Sequence, residues 1–124
     1  MSLELQLLGF DLSIAKLSQI DNLDKIAKKS RFFSLTKTDD ELSLVIETEQ
    51  LPEHQYANSG WKAFEVCGPL EFSLVGILQQ ILQPLAKHSI SVFAISTFDT
   101  DYILVKGEQV ERATEILSDQ FKIK

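Results

Sequence analysis

Ser96-Thr97-Phe98-Asp99-Thr100-Asp101 gathers hydroxyls and carboxylates between two apolar runs. Ile90 to Ile95 is apolar at nearly every position, as in a strand covered on both faces, and Tyr102 to Val105 resumes the pattern. Polar chemistry therefore falls on a short turn between two strands, which places a candidate ligand site at a strand end. Ser96, Thr97, Asp99 and Asp101 can accept hydrogen bonds from a cationic donor, each worth roughly 1.5–3 kcal/mol when charge-assisted. Plain alternatives stand beside this. Asp99 and Thr100 fit a turn with no other duty, and Phe98 fits ordinary packing. Asp101 carries the most weight, because an acidic residue that opens a buried strand needs a partner.

The chain that must position these groups has 124 residues, 44% of them hydrophobic, enough to bury a core without staples. Its one cysteine, Cys67, cannot form an internal disulfide. With no histidine or cation next to it in sequence, it reads as a small buried hydrophobe. No cationic start precedes an apolar run in the manner of an export signal, so a reducing cytoplasm is expected. No uninterrupted apolar segment approaches the roughly 20 residues that span a bilayer, so no membrane is expected as a partner. A net charge of -6 repels a phosphate backbone, and the cluster Lys25, Lys28, Lys29 and Arg31 reads as a solvated face, so no nucleic acid is expected. His54 and His88 are too isolated to suggest a metal, and no cofactor is expected.

Sliding the chain against itself by sixty residues sets Phe33 on Phe93, Leu35 on Ile95, Asp39 on Asp99, Glu41 on Asp101, Leu44 on Leu104 and Val45 on Val105. Both windows read as strand, acidic turn, strand; a chance likeness between two hairpins is the alternative. Residues 52–60 are polar and bracketed by proline and glycine, and so read as a connection between an N-terminal domain, 1–55, and a C-terminal domain, 60–124. In the second, a strand from Trp61 to Cys67 precedes a helix with Leu74, Ile77, Leu78, Ile81, Leu82 and Leu85 on one face. Pro84 should kink or shorten its last turn. Two strands follow, then a helix after Gly107 that buries Val110, Ala113, Leu117 and Phe121, with room for a short strand at Lys122 to Lys124. That order is the α+β, ferredoxin-like pattern of an antiparallel sheet with its helices on one face. The first half is a reduced version, with a strand at Leu3, Leu5 and Leu7, a second segment from Leu12, and a short helix over Leu23 to Lys29.

Gly68-Pro69-Leu70, the run Phe72 to Leu78, Pro84-Leu85-Ala86 and the run Ile90 to Val105 together resemble an ACT domain. More narrowly, they are similar to small bacterial tandem-ACT proteins related to the arginine sensors of animals and the regulatory ends of aspartate kinases. The likeness is strong over Trp61 to Leu117 and weak over residues 1 to 50, which implies a degenerate first copy. The resemblance implies a βαββαβ fold and a free amino acid bound where ACT units meet. It assigns ligand contacts to Phe72, Ser73, Leu74, Val75 and Gly76 before the first helix, and to Ser96, Thr97, Phe98 and Asp101 in the turn. The chain departs from the arginine sensors at Leu74, where they carry an acidic residue.

The residues suit such a ligand on their own chemistry. Exposed amides at a helix start suit a carboxylate, Gly76 permits close backbone approach, and the acidic turn suits an ammonium. Ser73 has the alternative of capping the helix. The function expected is a non-catalytic regulatory module that binds an amino acid, and the small apolar sheet makes a homodimer the expected state, with a regulated protein as a further partner. A purely structural oligomerisation module is the alternative. An acyl-phosphate hydrolase on the same architecture would need an anion-binding arginine in a glycine-rich loop, and neither Arg31 nor Arg112 has one.

Overall fold

The structure is a computed structural model that describes residues 3–19, 21–68 and 76–124. Its contacts divide the chain into two compact units, residues 1–9 with 62–124 and residues 10–61. The division expected from the sequence put residues 1–9 with the N-terminal half. Strand pairing explains the difference.

In the larger unit, β1 (Glu4–Leu7) lies antiparallel to β5 (Tyr56–Val66), with Leu5 opposite Val66 and Leu7 opposite Phe64. On its other side β1 pairs in parallel with β8 (Lys122–Ile123), so the N-terminal strand separates the C-terminal strand from β5. β7 (Asp101–Lys106) pairs with both β5 and β6 (Phe93–Ser96), giving the order β6-β7-β5-β1-β8. Two helices, α2 (Ile77–Lys87) and α3 (Val110–Leu117), cover one face. Strand residues alternate between faces. Leu5, Phe64, Val66, Ile103 and Val105 accordingly meet Ile81, Leu85, Ala113 and Leu117 in one core, joined by Phe121. The helical stripe and the last helix stand where their periodicity placed them, except that Leu74 lies outside the described residues. Pro84 does not end its helix, which continues to Lys87.

The smaller unit follows the same plan in reduced form: β2 (Leu12–Lys16), α1 (Leu23–Lys29), β3 (Phe33–Lys37) and β4 (Leu42–Glu47), ordered β3-β4-β2-β5. A single 3-10 turn, Thr48–Gln50, stands where the larger unit has a 3-10 turn, Gly107–Gln109, and then α3. The connection expected over 52–60 is half strand: Tyr56, Ala57 and Asn58 pair with Lys16, Ala15 and Ile14. Residues 56–60 are polar because their side chains are exposed, while the backbone supplies the ladder. Leu42, Leu44 and Ile46 form this core with Ala15, Leu17 and Leu23. Beside it Glu47, only 3% exposed, accepts hydrogen bonds from the Arg31 backbone N–H at 2.7 Å and from Nε at 2.9 Å, and Nη2 also donates to it. The Arg31 guanidinium sits 4.4 Å over the Phe10 ring.

The repeat is real in plan but not at sixty residues. Leu44 and Ile46 face their core as Ile103 and Val105 face theirs, and the Thr38 N–H bonds to Glu41 as the Thr97 N–H bonds to Thr100, an offset of 59. Matching residue identities at sixty slips the pairing by one, which in a strand exchanges the two faces.

Candidate functional site

The 96–101 segment closes the β6–β7 hairpin. Thr97 N–H donates to the Thr100 carbonyl at 2.8 Å, Thr97 Oγ1 donates to the same carbonyl at 3.1 Å, and Thr100 N–H donates back to Thr97 Oγ1 at 3.3 Å. Thr100 is 7% exposed, and its hydroxyl donates to the Val66 carbonyl at 2.5 Å, fastening the turn to the end of β5. Thr100 thus has a structural duty. Phe98, at the tip, is 79% exposed, so it does not pack as a core residue.

Asp101 opens β7 directly opposite Ser96, and Ser96 Oγ donates to Asp101 Oδ1 at 2.5 Å. Alternation puts this pair on the face of Ile103 and Val105, the side that carries the helices. Asp101 is half-buried, Ser96 is exposed, and the bond between them is reached by solvent. Gly76 immediately precedes α2 with φ 80°, a conformation in which glycine avoids the strain of a side chain, and its carbonyl accepts the Gln80 N–H at 3.0 Å. Phe72, Ser73, Leu74 and Val75 lie outside the described residues.

A pocket of about 390 Å³ opens beside the same turn. Thr97, Asp99 and Thr100 line it together with Gln6, Glu65, Cys67, Gly68, Tyr102 and Lys124. Ser96, Phe98 and Asp101 are not in its wall. Gln6, Glu65 and Tyr102 alternate with Leu5, Phe64 and Ile103, and so project from the face opposite the helices. Tyr102 OH donates to Glu65 Oε2 at 2.8 Å. Burial first, then the bond to Glu65 and the charges of Glu65 and Asp99, push the tyrosine up to about 12, so it stays neutral. Lys124 Nζ is 3.0 Å from Glu4, whose carboxyl is held below its usual range chiefly by that hydrogen bond. Cys67 is half-exposed in the pocket wall and not the buried hydrophobe expected. Sequence reasoning missed Glu65, Tyr102 and Gln6. Their only signal was being the polar alternates of core positions on strands whose pairing was not yet known.

A mostly antiparallel sheet backed by two helices, with a glycine opening the helix after β5 and a polar turn between β6 and β7, is a ferredoxin-like α+β fold. The chain belongs to the ACT domain family, whose model matches residues 56–119; a second model, described as an N-terminal domain, matches residues 11–54. It is 33% identical over 108 residues to human CASTOR3P, covering 77% of this chain and 66% of that protein. It is 29% identical over 106 residues to the cattle cytosolic arginine sensor for mTORC1 subunit 1, covering 77% of this chain and 32% of that protein. The chain thus spans between about a third and about two thirds of the length of these curated relatives. Among solved structures, protein Atu0741 from Agobacterium tumefaciens superposes with TM-score 0.86 at 30% identity, covering 100% of this chain and 95% of that one. The regulatory subunit of aspartate kinase from Thermus thermophilus shares the fold, with TM-score 0.69 at 10% identity over 98% and 99% of the two chains.

Proposed function

We propose that this protein is a non-catalytic regulatory module that binds a free amino acid at the strand end formed by the 96–101 turn and the entry to α2. The observation that carries the reading is the Ser96–Asp101 pair, a half-buried carboxylate on the helix-bearing side of the strand end. Asp101 takes the ligand's ammonium, with Ser96 and Thr97 beside it, and the backbone leading into α2 from Phe72 to Gly76 takes its carboxylate. Phe98 walls the ligand's side chain. Membership of the ACT family, and relatives named as arginine sensors, support an amino acid as the ligand class. Those relatives are also named cytosolic, and among the described residues no helix is long and apolar enough to cross a membrane; a cytoplasmic setting is part of the same proposal. The working unit is a homodimer that passes occupancy to a regulated protein.

A panel of free amino acids screened by thermal unfolding tests the reading, since a ligand at 100 times its Kd adds about 2.7 kcal/mol of stability. One or a few members should raise the melting temperature. Asp101→Ala should weaken that ligand about tenfold or more, from the loss of roughly 1.5–3 kcal/mol, while the protein still folds. A panel with no stabilising member favours a structural oligomerisation module, and unchanged affinity in Asp101→Ala removes Asp101 from the site. Sedimentation that finds only a 14.0 kDa species excludes the homodimer.

A further inference from the structure

β3 is the outermost strand of the smaller unit: among the described residues it pairs with β4 and with no other strand. The Thr38 N–H donates to the Glu41 carbonyl, so these two residues are a hydrogen-bonded pair of the hairpin, and alternation makes Thr36–Ser43 and Ser34–Val45 the next such pairs. Leu42 fits this pattern, since its carbonyl turns away from β3 and accepts the Leu17 N–H at 2.8 Å. The backbone N–H and C=O groups of Phe33, Leu35 and Lys37 therefore point out of the sheet edge. The side chains of these three residues share the face of Leu42, Leu44 and Ile46, yet Leu35 is 39% exposed while its register partner Leu44 is fully buried. A row of outward backbone groups beside an exposed leucine is an edge that accepts another strand. The charges on either side of β3 identify that strand. Lys28 and Lys29 precede it, Asp39, Asp40 and Glu41 follow it, all are exposed, and among the described residues none of them has an ion pair. Antiparallel pairing with a second copy lays each basic segment beside the partner's acidic turn, at both ends of the contact, whereas parallel pairing sets like charge beside like. In the antiparallel register centred on Leu35, that leucine lies opposite the partner's Leu35, Phe33 opposite the partner's Lys37, and Ser34 opposite the partner's Thr36. Every outward backbone group of Phe33, Leu35 and Lys37 then meets its complement, the hydroxyls meet each other, and the lysine lies along an aromatic ring. A two-fold axis through Leu35 makes the contact self-complementary and closed, so it consumes the edge without propagating.

We propose that the open edge of β3 is an interaction surface for a second copy of this chain, which joins it edge to edge and antiparallel with Leu35 on the two-fold axis. The inference rests on the homodimer named in the reading above and gives that dimer its surface. Sedimentation of the full chain should find a species of twice 14.0 kDa. Leu35→Glu removes the apolar pair at the axis and sets like charges opposite each other, so it should raise the dimer dissociation constant about tenfold or more. Lys28→Glu combined with Lys29→Glu should also weaken the dimer, and adding Asp40→Lys and Glu41→Lys to the same chain should restore it, a recovery that damage to the fold would not produce. Thermal unfolding checks that each variant folds. Three results overturn the proposal: an unmodified protein found only as a 14.0 kDa species, a dimer affinity unchanged in Leu35→Glu, or no recovery when the compensating pair is added. A dimer that persists in Leu35→Glu removes this surface and leaves the homodimer standing, whereas a monomeric unmodified protein removes both. The amino-acid panel reads the Asp101 site independently of either result.

Discussion

Leu5→Ala discriminates between the two ways of dividing this chain. Read from the sequence, Leu5 belongs to the N-terminal half; in the structure it is 0% exposed in the core of the unit formed with residues 62–124. It stands between Val66 on β5 and Ile123 on β8, so its strand neighbours come from the middle and the far end of the sequence. Truncating a fully buried leucine costs about 3–5 kcal/mol, the transfer of the lost methyl groups plus the cavity left behind. Against a total stability of about 5–15 kcal/mol that is a large fraction. Urea unfolding measures the loss, and hydrogen exchange locates it. Amides of β7, Ile103 to Val105, should lose protection first, while those of β4, Leu44 to Ile46, keep more of theirs. A loss below about 1 kcal/mol, or β4 amides opening ahead of those in β7, would refute the assignment of β1 to the larger unit.

Arg31→Ala should lower the melting temperature of the protein and flatten the acid limb of its stability curve. Hydrogen bonds from the Arg31 side chain, then its backbone N–H, hold the Glu47 carboxyl below 4.5, so their contribution is present above that pH and is lost as pH falls through the lowered value; an unchanged acid limb counts against the pair. Tyr102→Phe should remove the tyrosinate transition centred near about 12 from an alkaline absorbance titration and flatten the alkaline limb of stability. A phenol raised from 10.0 stabilises the fold fully below that pH and loses the effect as pH rises through about 12, so a variant with the unmodified protein's alkaline limb refutes the half-buried Tyr102–Glu65 contact.

Patterns that depend on near neighbours were legible in the sequence. The stripe Ile77, Ile81 and Leu85 and the alternation of Ile103 with Val105 each report burial on one element; Ile81, Leu85, Ile103 and Val105 are in the core and Ile77 packs against it. The two hairpins were legible for the same reason, since each closes over a short turn. What the sequence concealed were pairings between distant segments. Nothing local in Glu4–Leu7 says that it will lie between β5 and β8, because an apolar strand fits any vacant place in a sheet. The exposed half of β5 carries no apolar alternation at all, so Tyr56 to Gly60 resembles a connection until its backbone partner β2 is known. Of the site residues, Gly76, Ser96, Thr97, Phe98 and Asp101 are described, but only Thr97 lines the pocket beside the turn.

The one-residue difference between an offset of sixty and one of 59 bears directly on the chemistry. At sixty, Asp101 matches the exposed Glu41 and Asp99 matches Asp39, which makes the acidic turn look like a repeated feature. At 59, Asp101 takes the place of Leu42, a core residue of the smaller unit, and Asp99 takes that of Asp40. Asp101 stands at a core-facing register position but is only half-buried, and its bond to the exposed Ser96 is made within reach of solvent. The same parity sets Tyr102 on the opposite face, where it holds Glu65. Successive residues at the start of β7 thus serve opposite sides of one sheet, and the turn that carries them is fastened to β5 through Thr100 and Val66.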